Sequence, residues 1–123
     1  MDKIPIIKNK EWIKLNKFNR CSLYSMYSSA TNAITIDPDM MNIPIDDHLV
    51  HRGDGVFESF KCIDGNVYNL DAHIKRLIYS CEKISLKIPI NESLIKKIII
   101  ETIKAGMHKN ASIRVLLSRG PGT

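Results

Sequence analysis

Residues 46–77 read DDHLVHRGDGVFESFKCIDGNVYNLDAHIKRL, and this stretch decides the fold. It opens as a polar loop carrying His48 and His51 and closes on Gly53 and Gly55, glycines that permit a sharp turn into a strand. Residues 56–63 then alternate. Phe57, Ser59 and Lys61 fall on one side and Val56, Glu58, Phe60 and Cys62 on the other, because strand side chains repeat every two residues. Asp64-Gly65 supplies the positive φ that a tight hairpin turn needs. Residues 67–70 read as a short return strand. A helix follows over 71–84, started by Leu70 or Asp71, with Asp the better cap. It carries His73 and Arg76, which share a face at that spacing.

Working outward, Ile74, Leu77, Ile78, Cys81 and Ile84 form the buried stripe of that helix. Pro89 ends the next connection. Asn91 caps a second helix over 92–104, with Leu94, Ile95, Ile98, Ile99, Thr102 and Ile103 on its apolar face and Gly106 as its stop. Residues 113–117 are a β-branched and leucine-rich strand running into Ser118-Arg119-Gly120-Pro121-Gly122. Upstream, residues 23–29 and 33–36 read as two short strands, the second closed by the Asp37-Pro38 turn signal. Residues 4–18 show a loose amphipathic helical pattern interrupted early by Pro5.

A chain of 123 residues is one domain or part of one. Its 44% hydrophobic and 25% charged content is that of a soluble globular protein. The net charge of +5 comes from scattered lysines, the densest group being Lys8, Lys10, Lys14 and Lys17. A nucleic-acid surface needs clustered Arg and Lys with aromatics between them, so no nucleic-acid partner is expected. The cysteines Cys21, Cys62 and Cys81 form no C-x-x-C pair and read as reduced thiols of a cytoplasmic protein. The apolar run 98–100 is far too short to span a bilayer, so no membrane association is expected. Asp2 and Glu11 argue against a transit peptide. Asp46, Asp47, His48, His51 and Asp54 fit no compact ligand spacing, and the expectation is a solvated polar loop with no metal.

Four features occur here in order and at suitable distances: HRGDGVFESF at 51–60, the Asp-Gly turn, L-x-x-H-I-x-R-L-x-x-S at 70–80 and S-R-G-P-G at 118–122. Together they resemble the N-terminal half of the class IV, fold-type-IV aminotransferases, which use pyridoxal 5'-phosphate (PLP). MYSSATNAITIDPDMMNIPIDDHLVHRGDGVF at 26–57 resembles the D-amino-acid aminotransferase-like branch found in plants. The resemblance implies an α/β (α+β) domain over 23–123, an antiparallel sheet with two helices packed on one face. Residues 1–22 would be an N-terminal, helical extension.

The resemblance also implies site residues. Arg76 matches the arginine that holds the cofactor phosphate, a role suited to a planar, always-charged fork. As a solvent-side residue it would leave the cofactor-free fold equally stable when truncated. His73, one turn earlier, supports it or serves as a structural histidine. Phe57, Ser59 and Lys61 match residues lining the substrate space. Phe57 cannot hydrogen-bond a carboxylate as a tyrosine could, which leans toward the branched-chain, lyase or plant-like branches. The partners implied are two small molecules, an amino acid and a 2-oxo acid, and a second copy of the chain in a homodimer.

The sequence departs from the family in one respect. The C-terminal domain that carries the Schiff-base lysine is absent from these residues, and no lysine here matches it. No catalytic residue is therefore expected in this chain, and alone it should be inactive. The reading is the N-terminal part of an aminotransferase acting on D-amino acids or branched-chain amino acids. The alternatives are an aminodeoxychorismate lyase or a non-catalytic truncated module.

Overall fold

The Asp64-Gly65 pair turns the chain as expected, with φ of +50° and +78°. Around it a computed structural model describes residues 4–7 and 24–122. The expected helix over 4–18, the 22/23 boundary and Cys21 lie outside the described residues, apart from 4–7. β1 (Met26–Ser28) and β2 (Ala33–Thr35) pair antiparallel, with Tyr27 opposite Ile34. A single 3-10 turn, Pro38–Met40, follows under an Asp37 cap. Then come α1 (His48–Arg52), β3 (Gly55–Ile63), β4 (Asn66–Val67), α2 (Leu70–Lys83), α3 (Glu92–Ala105) and β5 (Ala111–Ser118). The second sheet is antiparallel throughout, in the order β4-β3-β5.

The β3–β5 ladder runs without a break from Gly55 opposite Ser118 to Cys62 opposite Ala111. One of its faces buries Phe60 and Cys62, and both helices pack there. Ile74 of α2 and Ile95, Ile99 and Ile103 of α3 complete a single core. Ile74 and Leu77 are fully buried, and each such side chain contributes about 1.5–3 kcal/mol of transfer free energy. Ile84 and Leu94, expected in the buried stripes, are only partly covered, at 37% and 41% exposure. Ile84 lies one residue past the end of α2, and Leu94 sits in the first turn of α3.

Several local readings need correction. The polar loop is helical over His48–Arg52, because its ends are written as caps: the Asp47 side chain accepts from the Leu49 N–H, and Gly53 closes the helix at φ +65°. Gly55 serves a different purpose from Gly53. A Cβ there would lie 2.7 Å from the Leu117 carbonyl oxygen and 2.8 Å from Leu49 Cδ1, so glycine permits the close approach of β5 and α1. The return strand stops at Val67. Tyr68 N–H still reaches the Lys61 carbonyl, but Asn69 then adopts φ +53° and turns the chain directly into α2. Asn69, not Asp71, is the N-cap residue, and its side chain makes no capping bond. Asp71 instead accepts from Lys96 of α3 at 2.7 Å, tying the two helices together. Asn91 caps α3 as expected, accepting from the Leu94 N–H at 2.8 Å.

Candidate functional site

β3 and α2 bring three ionisable side chains together on the helix-covered side of the sheet. Glu58 points inward between Val56 and Phe60, and its side chain is only 6% exposed. A carboxylate taken out of water must be paired and hydrogen-bonded. Arg76 donates Nε–H to Oε1 at 2.6 Å and Nη2–H to Oε2 at 2.7 Å, and His73 Nδ1 lies 2.9 Å from Oε2. The Arg76 bonds, opposed by burial, hold the Glu58 carboxyl below its ordinary value of 4.5, and His73 adds to the effect. The His73 ring stacks on Phe60 with centroids 4.8 Å apart. The helix spacing that put His73 and Arg76 on one face thus aims both at one strand residue.

Arg76 remains 63% exposed while holding Glu58. Oε2 of the ionised carboxylate can only accept, so His73 must carry its proton on Nδ1. Nδ1 then cannot also accept from Arg76 Nη2, 3.3 Å away. The guanidinium therefore keeps Nη1 and the second Nη2 hydrogen for another acceptor. That is an end-on fork matched to two oxygens of a phosphate. The residues present fit a phosphate-bearing cofactor at this point.

Phe57, Ser59 and Lys61 lie together on the opposite, open face of β3, all exposed. In register beside them stand Leu116, Arg114 and Ser112 of β5. β4 pairs with β3 only at Cys62 and Ile63, so among the described residues 55–60 have no strand neighbour on that side.

Two carboxylates of the polar loop, Asp47 and Asp54, are occupied by structural partners. Asp47 is buried, caps α1 and accepts from the Ser118 hydroxyl. Asp54 accepts from Arg119 Nε–H at 2.7 Å, a bond that lowers the Asp54 carboxyl from its usual value. Arg119 also donates to the carbonyls of Ile84 and Ser85, so it clasps the end of α2 to the turn before β3. Among the described residues no group of three such side chains could hold a metal ion.

Two residues escaped the sequence reading. The alternation puts Glu58 on the side of the strand opposite Phe57, Ser59 and Lys61 and gives it no role. A carboxylate in an apolar row, followed by a helix with His-x-x-Arg, was the available signal. Arg114 was passed over within an apolar strand, although period-two alternation puts it on the face opposite Ile113 and Val115.

Residues 55–123 match the model of the family described as "Amino-transferase class IV". The chloroplastic D-amino-acid transaminase of Arabidopsis thaliana is 42% identical over 98 residues, 80% of this chain and 26% of that protein. A putative branched-chain-amino-acid aminotransferase of Methanocaldococcus jannaschii is 32% identical over 91 residues, 74% of this chain and 32% of that one. Among solved structures, a hypothetical aminotransferase from Mycobacterium tuberculosis in its PLP-bound form superimposes with a TM-score of 0.61 at 28% identity. The match covers 73% of this chain and 32% of that one. The chain thus spans between a quarter and a third of the length of these proteins.

Proposed function

Because the chain belongs to the class IV aminotransferase family, we propose that it is the N-terminal, phosphate-holding part of a PLP-dependent enzyme. That enzyme would move an amino group between an amino acid, of D or branched-chain type, and a 2-oxo acid. The observation that carries the reading is the exposed fork of Arg76, fixed from behind by Glu58 and left with donors for a phosphate. PLP, when bound, supplies an electron sink for the carbon that bears the amino group. This chain's residues bind and orient. Arg76 holds the phosphate end, and His73, stacked on Phe60, stiffens the helix turn that carries it. Phe57, Ser59 and Lys61 form one wall of the substrate space, with Phe57 against an apolar side chain. Lys61 and Arg114 give that wall positive charge, which suits carboxylate substrates.

The lysine that bonds PLP would lie outside residues 1–123, so the isolated chain is expected to be inactive. The working enzyme would be a homodimer. Its compartment would be the cytoplasm, where the free thiols Cys62 and Cys81 stay reduced. Among the described residues no helix is long and apolar enough to cross a membrane.

Assays of the complete enzyme test the reaction. The expected result is amino transfer from D-alanine or a branched-chain amino acid to pyruvate or 2-oxoglutarate. Release of pyruvate from aminodeoxychorismate without amino transfer would assign it to the lyase branch instead.

A further inference from the structure

The geometry points to Glu58 as a positioning residue that selects how Arg76 presents itself to the cofactor phosphate. This inference rests on the phosphate role of Arg76 proposed above. An exposed arginine visits many rotamers, and ordering it on binding costs free energy. Here the ordering is already done. Glu58 is buried, fixed in the centre of a continuous β ladder, and engages the Nε and Nη2 side of the guanidinium at 2.6 and 2.7 Å. That engagement uses up the side-on fork and leaves only the end-on pair, Nη1 and Nη2, facing out. His73, donating from Nδ1 to the same carboxylate at 2.9 Å, prevents Glu58 from turning away.

Two effects oppose each other. The Glu58 negative charge lies behind the guanidinium and weakens its pull on an anion, whereas the fixed fork spares the phosphate the cost of ordering Arg76. The two bonds to a buried acceptor are short and charge-assisted, and the anion they oppose is screened by solvent at the exposed end of Arg76. We infer that the positioning effect wins.

The test compares PLP with pyridoxal, which lacks the phosphate, by equilibrium dissociation constants on the complete enzyme. Glu58→Gln keeps the shape but sets an amide N–H₂ against donors, which breaks the paired fork. It should weaken PLP binding about tenfold while leaving pyridoxal binding unchanged, as loss of one charge-assisted bond would do. Glu58→Asp, which keeps the carboxylate, should recover part of the loss. A merely structural Glu58 would shift both ligands together, or lower the melting temperature with the PLP-to-pyridoxal ratio intact, and either outcome overturns the inference. So does a ratio that moves in favour of PLP, since neutralisation would then outweigh positioning. Arg76→Ala is the control. If it leaves the ratio unchanged, the phosphate role itself fails. If it shifts the ratio and Glu58→Gln does not, only the positioning role fails.

Discussion

Besides the phosphate role proposed for it, Arg76 pairs with the buried Glu58 carboxylate, and that pairing was hidden in the sequence. Its family match speaks only of a phosphate, and on that basis truncation should leave the cofactor-free fold equally stable. The bidentate pairing with buried Glu58 changes this expectation. Arg76→Ala should weaken PLP binding by about tenfold to a hundredfold. It should also lower the melting temperature of the cofactor-free protein, because Glu58 would keep only His73 as partner. Arg76→Lys should restore part of the affinity, since an ammonium cannot replace a fork. Cofactor titration alongside thermal unfolding checks both effects. The pairing also sets a pH dependence. Glu58 is held below its ordinary 4.5 in the folded state, so the unfolded chain takes up its proton first as pH falls. The stability the carboxylate contributes is complete above that ordinary value and is lost as pH drops toward the lowered folded one. Denaturant unfolding of wild type and Glu58→Gln should differ most near neutral pH and draw together as the pH falls below the ordinary glutamate value of 4.5 toward the lowered folded one.

At the scale of the element, caps and turns account for what was legible and what was not. Asn91 and the Asp64-Gly65 turn act through local chemistry, a side-chain oxygen on an orphan N–H and a positive φ, and both are where the sequence places them. Asn91→Ala should therefore cost about 1 kcal/mol in equilibrium unfolding. α1 was read as loop because five residues are too few to show a helical period, although Asp47 and Gly53 mark both its ends. α2 starts at Leu70, one of the two expected positions, but its cap differs from Asp71 for another reason: Asn69 acts through its left-handed backbone, and its side chain makes no cap. The alternation of β3 was fully legible, and it sorts the site. Its odd-numbered residues form the open face and its even-numbered ones face the helices. Glu58 shows the limit of that reading, since a period assigns a face and only the packed α2 supplies a partner. Lys61→Met on the open face should change the relative turnover of different amino donors while leaving PLP affinity unchanged. A uniform loss for every donor through weaker cofactor binding would remove Lys61 from the substrate wall.

For the whole molecule, one helix-covered face holds the core and the Glu58–Arg76–His73 group, and the other face lies open. This arrangement suits the role proposed for it, a domain that would lend walls and a phosphate anchor to chemistry performed by residues elsewhere. Borohydride reduction of the complete, PLP-loaded enzyme, followed by peptide mass mapping, tests that division of labour most directly. The account predicts a single cofactor-modified lysine outside residues 1–123, with less PLP retained by Arg76→Ala than by wild type at limiting cofactor. A modified lysine within residues 1–123 in an active enzyme, or undiminished retention by Arg76→Ala, would contradict it.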